Sequence, residues 1–152
     1  MDGSSFNVII NRHDLTTSAG QSIPRKSEIK HPGYDPNSMD NDFAIVFLNT
    51  ATTEDVDFLQ LNQDDSFPAA GATSRAMGWG TTSSGGSSST QLREVDLPII
   101  TNESCDQKYP WYPIFDSNIC TFQPGKDSCQ GDSGKFLYTF HSYVAKYVFP
   151  IS

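Results

Sequence analysis

The chain has 152 residues, of which 36% are hydrophobic and 18% are charged, a composition typical of a globular protein. Its formal net charge is −8, and we expect no nucleic-acid partner, because a phosphate backbone is bound by clustered Lys and Arg. No apolar run is long enough to span a bilayer, and the start "MDGSSFNVII" lacks the features of a signal peptide, so we expect no membrane partner and no leader in this chain.

Short β-rich runs separated by turn-forming residues occupy the first part of the chain. Strands are predicted at residues 6–11, 27–31 and 43–49, and the turn-forming sequence "HPGYDPNS" lies between the last two. Residues 63–72 are polar and turn-rich, which predicts a linker.

The second part of the chain continues the same alternation. Strand-like residues at 73–80 and 91–100 flank a Ser- and Gly-rich surface loop. A short helix with Thr101 as its N-cap is predicted next, and a strand at 118–122 follows. Strands at this spacing, with few helical periods, predict an all-β barrel or sandwich.

The last segment, residues 135–152, differs in composition from the rest. It is aromatic and has neither an acidic residue nor Gly. It fits either a pair of strands or an amphipathic tail, and periodicity does not choose between them.

Three cysteines leave at least one unpaired within a monomer. Their spacings, 105 to 120 and 120 to 129, do not resemble those of a zinc knuckle, so we expect no metal site. The tripeptide "NES" at 102–104 is a glycosylation acceptor pattern, meaningful only in a secreted protein.

The sequence "GDSG" at 131–134 has the residue types that a nucleophilic serine requires. A serine hydroxyl attacks a carbonyl only when a base removes its proton and donors stabilise the resulting oxyanion. The two glycines allow a sharp turn and a close approach of the backbone to a substrate. Gly, Asp and Ser are also ordinary turn formers, so these four residues alone fit a surface turn equally well.

A longer string carries a family resemblance. Residues 125–134, "GKDSCQGDSG", resemble the trypsin branch of the chymotrypsin-like serine proteases. Three more segments resemble that family in the same order: "HPGYDPNSMDNDFAIVFLN", then "MGWGTT", then "DLPIITNESCDQKY" with "SNICTF". The resemblance covers roughly residues 8–134.

The resemblance implies an all-β fold, the chymotrypsin-like double antiparallel β-barrel, truncated so that only part of each barrel is present. We expect part of the N-terminal barrel at residues 1–62, an inter-barrel linker at 63–72, part of the C-terminal barrel with the nucleophile loop at 73–134, and an unmatched C-terminal tail at 135–152.

The resemblance also assigns roles to single residues. It implies that Ser133 is the nucleophile, that the amides of Gly131 and Ser133 form the oxyanion hole, and that Asp42 orients the general-base histidine. Asp127 matches the carboxylate at the base of the specificity pocket, which implies cleavage after Lys or Arg.

Two further matches concern structure and activation. Cys105 and Cys120 match a family disulfide, and Asp132 matches the residue that pairs with the new N-terminus after activation. Cys129 has no family partner in this chain.

The sequence departs from the family at the general-base histidine and at its two ends. None of its histidines is followed by Cys, as the family's base histidine is, and we expect surface or structural roles for His13, His31 and His141. Lys135 stands where the family continues with Gly-Pro. We therefore expect a chain that is incomplete at both ends and inactive alone.

The function predicted is that of a trypsin-like serine endopeptidase acting through an acyl-enzyme on protein or peptide substrates, without a cofactor, and extracellular by resemblance. A non-catalytic module that binds peptides or inhibitors is the alternative, and a structural or metal-binding protein is a third. Asp14 is the only acid in residues 12–22, so no calcium site is expected there. Exposed strand edges predict self-association.

Overall fold

A computed structural model describes residues 5–58, 61–64, 66–83, 85–125, 137–139, 142–144 and 147–148. Within these ranges the chain is mostly β-strand, with one short helix. It divides into two compact units, Met1–Phe58 and Leu59–Ser152. No helix in the described part of the chain has both the length and the hydropathy to cross a membrane.

The first unit contains a three-stranded antiparallel sheet in the order β1-β2-β3. Strand β1 is Asn7–Ile10, β2 is Gln21–Lys30 and β3 is Ala44–Leu48. Strand β2 is longer than the strand predicted at 27–31, because its two halves serve different partners. Residues 21–24 pair with β1 and residues 25–30 pair with β3. The register shifts between Arg25 and Ser27, as a β-bulge does where a strand changes direction.

A glycine sets the connection between β1 and β2. Gly20 has a φ of +89°, a conformation that side chains other than glycine rarely adopt. A Cβ at this position would also lie 2.5 Å from the carbonyl oxygen of Ile10. Both facts require glycine immediately before β2.

Few apolar side chains of the first unit are buried. Ile23, on β2, is 1% exposed and is the one fully buried hydrophobic residue among the described residues of this unit. Strand β3 is apolar, as predicted, yet its residues 44–47 are exposed and Ile45 reaches 58%. The sheet is therefore held mainly by its backbone hydrogen bonds.

The second unit contains a six-stranded sheet in the order β8-β7-β4-β5-β6-β9. All its pairings are antiparallel except that of β6 with β9. Its strands are β4 (Thr73–Gly78), β5 (Arg93–Ile100), β6 (Asn118–Thr121), β7 (Leu137–Thr139), β8 (Ser142–Val144) and β9 (Tyr147–Val148). The pairing of β7 with β8 favours the strand-pair alternative for the C-terminal segment.

The core of the second unit lies on β4, β5 and β6. Ala76, Ile99 and Ile119, one from each strand, are buried together. Phe67 and Ala72, from the stretch predicted as a linker, pack against this cluster. Burial of this kind contributes about 25 cal/mol for each Å² of apolar surface.

Helix α1, Asn102–Lys108, begins where it was predicted. The Thr101 hydroxyl accepts a hydrogen bond from the Ser104 N–H at 3.1 Å, which confirms the predicted N-cap. Cys105 on this helix forms a disulfide with Cys120 on β6, and both residues are buried. The disulfide ties the helix to the core strand.

The described strands do not close into a barrel in either unit. Each sheet ends in strands with one neighbour: β1 and β3 in the first unit, β8 and β9 in the second. The mostly β character agrees with the predicted class. The assignment of residues 1–62 and 73–134 to two partial barrels stays a prediction.

Removing the disulfide should destabilise the chain. We expect Cys105→Ala/Cys120→Ala to lower the free energy of unfolding by about 3 kcal/mol, the chain-entropy value for closing a loop of this length. The measurement is guanidinium unfolding followed by tryptophan fluorescence. Reductant should lower the stability of the natural chain to that of the double variant and leave the variant unchanged. A loss below about 1 kcal/mol would contradict a stabilising role.

Candidate active site

The turn between β2 and β3 carries the predicted catalytic aspartate. The N–H of His31 donates to the carbonyl of Phe43 at 3.0 Å, which closes the base of the turn. Inside it, the N–H of Asp35 donates to the carbonyl of Asp40 at 3.1 Å. The inner bond lies within the outer one along the chain, so the segment "HPGYDPNSMDNDF" forms a long connection with a tighter turn at its tip.

The Asp35 side chain organises the tip of this turn. Its carboxylate accepts hydrogen bonds from the Asn37 N–H at 2.9 Å, from Asn37 Nδ2 at 3.1 Å and from the Ser38 hydroxyl at 3.0 Å. The pKa of Asp35 is lowered, first by the Asn37 N–H and next by the Ser38 hydroxyl, because both donate to the charged form. The sequence Asp-Pro-Asn-Ser is a typical signal for such a turn.

Asp42 lies where this turn enters β3. The N–H of Phe43 donates to the carbonyl of Asn41 at 2.8 Å, so Asp42 is the central residue of a three-residue γ-turn. Asn41 itself has a φ of 55°, and its side chain donates to the carbonyl of Gly33 at 3.2 Å. The backbone position of Asp42 is thus set by the turn bond that spans it and by the side-chain bond of the residue before it.

Asp42 is half-buried. Among the residues that the structure describes, none donates a hydrogen bond to it. A carboxylate in this state can accept a hydrogen bond from an imidazole N–H, which is the role predicted for it.

His31 is close to Asp42 along the chain, but its ring makes its contacts with other residues of the turn. The Nδ1 atom accepts a hydrogen bond from the N–H of Gly33 at 3.2 Å. The ring also packs against Phe43, with 4.6 Å between the ring centroids. These contacts agree with the structural role predicted for His31.

The other predicted catalytic residues lie outside the described residues. They are the nucleophile Ser133, Gly131 of the oxyanion hole and Asp127 of the specificity pocket. Cys129, Asp132 and His141, for which no catalytic role was predicted, also lie outside the described residues. His13 is described and is exposed. Asp42 is therefore the one member of the predicted catalytic set whose surroundings the structure gives.

No candidate metal site is present in the described ranges. Nowhere in them do three or more His, Cys, Asp or Glu side chains come together as possible ligands. The carboxylates of Asp14, Asp35 and Asp64 instead accept hydrogen bonds from their own turns.

Comparison with known proteins agrees with the resemblance seen in the sequence. A family model described as Trypsin matches residues 1–142. The chain belongs to the trypsin family. The match extends beyond Gly134, where the quoted motifs end, into the C-terminal segment.

Individual relatives agree with this membership. Trypsin alpha-4 of Lucilia cuprina is 44% identical over 106 residues, which cover 68% of this chain and 42% of the relative. Trypsin eta of Drosophila erecta is 36% identical over 139 residues, covering 88% and 53%. Trypsin-1 of Astacus astacus is 34% identical over 139 residues, covering 86% and 57%.

This trypsin-family chain spans between 42 and 57% of the length of these three curated relatives. Its Cys105–Cys120 disulfide is the one that the family resemblance implied. Asp35 and Asn41 had no role in the sequence analysis, although they set the position of Asp42. The available signals were the Asp-Pro-Asn-Ser turn and the tolerance of Asn for a positive φ.

The hydrogen bonds to the Asp35 carboxylate predict how its contribution to stability depends on pH. Its lowered folded pKa means that its stabilising contribution is complete above the unfolded pKa of about 3.9 and is lost as pH falls through the folded value. Ser38→Ala should raise the Asp35 pKa by removing one donor, measured by NMR titration of its carboxyl carbon. Ser66→Ala is the matched control, since the Ser66 hydroxyl lowers the pKa of Asp64. An Asp35 pKa that Ser38→Ala leaves unchanged would contradict the assignment.

Proposed function

We propose that this chain carries catalytic parts of a trypsin-like serine endopeptidase that cleaves after Lys or Arg, and that residues 1–152 alone are inactive. One observation carries the proposal. The Trypsin family match over residues 1–142 includes both the Asp42 segment and the loop "GKDSCQGDSG" at 125–134. Chance does not produce several family segments in the family order, whereas a lone "GDSG" is common.

Ser133 is the proposed nucleophile. Its Oγ attacks the scissile carbonyl carbon, and its proton passes to an imidazole. The carbonyl oxygen becomes an oxyanion, which the amides of Gly131 and Ser133 stabilise. The leaving amine takes the proton, and water then hydrolyses the ester that remains on Ser133.

Asp42 is proposed to orient that imidazole. Its carboxylate would accept the Nδ1–H of the ring and stabilise the imidazolium without taking the proton. The γ-turn supports this role, because it fixes the backbone position of Asp42 through the bond from Phe43 to Asn41. No donor in the described ranges occupies this half-buried carboxylate, which is compatible with that role.

Asp127 is proposed to select the substrate. A carboxylate inside a pocket is stable when a cation pairs with it, and Lys or Arg of a substrate supplies that cation. Peptides are the partner class that the family implies. Self-association through exposed strand edges is a further part of the proposal.

The proposed inactivity follows from the histidines within residues 1–152. None of the three stands in the family's base motif, and the His31 ring is engaged by Gly33 and Phe43. In another serine protease, removing the base lowers kcat by about 10⁶, nearly as much as removing the whole triad. An extracellular location is proposed from the family, and the disulfide is consistent with an oxidising compartment.

A peptide- or inhibitor-binding module without catalysis is the second candidate. The observation that favours it is the retention of the Asp127 loop in a chain without a base in the family's motif. Binding requires the pocket carboxylate but no general base.

Labelling by a fluorophosphonate probe tests the proposed inactivity. The probe reacts with a serine whose hydroxyl is activated by a base, so the natural chain should label no faster than Ser133→Ala. The measurement is gel fluorescence over time, with an active trypsin as the positive control. Rapid stoichiometric labelling of the natural chain that Ser133→Ala abolishes would contradict inactivity.

Calorimetry with an Arg-containing peptide separates the two candidates. The binding module predicts saturable heat that Asp127→Ala abolishes, because the guanidinium loses its partner. Asp116→Ala, at an exposed acid of the same unit, is the matched control and should bind as the natural chain does. Absence of heat from the natural chain would exclude the binding module.

A further inference from the structure

The glycosylation acceptor tripeptide Asn102-Glu103-Ser104 lies within the part of the chain that the structure describes. Asn102 is the only asparagine in the sequence with Ser or Thr two residues further on. The tripeptide forms the first three residues of helix α1, and Cys105, one half of the disulfide, follows it directly. The acceptor pattern and the disulfide therefore share one short helix.

The acceptor atom already has a partner in the folded chain. Asn102 Nδ2 donates a hydrogen bond to the carbonyl oxygen of Phe115 at 3.0 Å. The N–H of Phe115 donates in turn to Oδ1 of Asn118, a buried residue of β6, at 2.7 Å. The half-buried Asn102 side chain thus joins the start of α1 to the segment that leads into β6.

The hydroxyl group of the tripeptide is engaged as well. Ser104 Oγ accepts a hydrogen bond from the Thr101 hydroxyl at 3.0 Å, and the Ser104 N–H donates to that same hydroxyl oxygen at 3.1 Å. These bonds cap the helix. A transferase that recognises the tripeptide has to bind both this hydroxyl and the Asn102 amide, so the first turn of α1 must open before the transferase can act.

The disulfide keeps this turn closed. Cys105 is 0% exposed, and its sulfur is bonded to that of Cys120 on β6. Its N–H also donates to the carbonyl of Thr101 at 3.0 Å. With seven residues, α1 is too short to be stable by itself, since isolated helices shorter than about 12–15 residues are marginal in water. The attachment of α1 to β6 therefore stabilises the helical form of the tripeptide.

We propose that Asn102 is an N-glycosylation site only while Cys105 is reduced, and that formation of the Cys105–Cys120 disulfide closes the site. The donor is a lipid-linked oligosaccharide diphosphate. Asn102 Nδ2 forms a bond to C1 of the first sugar, and the bond from C1 to the phosphate oxygen breaks. The amide proton that Nδ2 loses passes to a base of the transferase, and the lipid diphosphate leaves.

This site rests on the extracellular location proposed above, because the compartment in which secreted proteins fold is the one that oxidises cysteines. It does not rest on peptidase activity, so the reaction of Ser133 with a fluorophosphonate has no bearing on Asn102. Two reactions compete for the same newly made segment, transfer of a glycan to Asn102 and pairing of Cys105. The order in which they occur decides whether a chain carries a glycan.

Glycan transfer to the oxidised and the reduced chain tests the proposal. The purified chain is incubated with a purified N-oligosaccharyl transferase and its lipid-linked donor, with and without dithiothreitol. Occupancy of Asn102 is followed over time by mass spectrometry of its tryptic peptide. We expect transfer to the oxidised chain to be at least about tenfold slower, because a disulfide disfavours the open chain. Asn102→Gln should remove all transfer.

A matched pair of variants repeats the comparison without reductant. Cys129→Ala keeps the disulfide and should be as poor an acceptor as the oxidised natural chain. Cys120→Ala/Cys129→Ala leaves Cys105 with no partner in the chain and keeps the acceptor sequence "TNESC" unchanged. This double variant should accept the glycan at the rate of the reduced chain. A synthetic peptide of residues 99–108 is the positive control for the transferase.

Three results would overturn the proposal. One is an oxidised natural chain that accepts the glycan as fast as the reduced chain does. Another is a Cys120→Ala/Cys129→Ala variant that is no better an acceptor than Cys129→Ala. The last is a reduced chain that stays unmodified at Asn102 while the peptide is modified.

Discussion

Burial of apolar side chains between β4, β5 and β6 is the interaction on which the described part of the second unit depends. Ala76, Ile99 and Ile119 are removed from water together, and the disulfide from Cys105 to Cys120 attaches helix α1 to the same strands. The buried hydroxyl of Ser74 on β4 donates to the carbonyl of Leu97 on β5, so its burial costs little. The proposed nucleophile loop follows β6 in sequence, and its residues 126–134 lie outside the described part of the chain.

The first unit is stabilised in a different way, and this matters for the candidate site. Ile23 is the one fully buried hydrophobic side chain among the described residues of this unit. The position of Asp42 therefore depends on hydrogen bonds in the turn rather than on a core. Asp35, Asn41 and His31 each contribute one or more of those bonds. Individual hydrogen bonds contribute about 1 kcal/mol each, and together they can hold a local shape that packing does not enforce. The same shortage of cover leaves residues 44–47 of β3 exposed within the described part of the chain.

Patterns that act over a few residues predicted the structure well. The Thr101 N-cap, the apolar run at β3 and the strand at β6 follow from side-chain chemistry that each segment carries itself. The full length of β2 could not be predicted, because residues 21–26 contain Pro24 and only one strongly apolar residue, Ile23, and they form a strand through pairing with β1 and β3. The exposure of β3 could not be predicted either, because "FAIVFL" has the composition of a core strand whether or not other residues cover it. The roles of Asp42 and Ser133 came from family resemblance, and no local pattern could have separated "GDSG" from an ordinary turn.

Gly20 limits how the region around β1 can change during evolution or engineering. Every other amino acid would bring its Cβ against the Ile10 carbonyl, so point substitutions at this site are effectively forbidden. Insertions just upstream face no such barrier, because residues 15–18 are exposed and loop closure changes slowly with length. Diversity among descendants of this sequence should accordingly accumulate as changes in loop length before residue 20, while the glycine itself stays invariant.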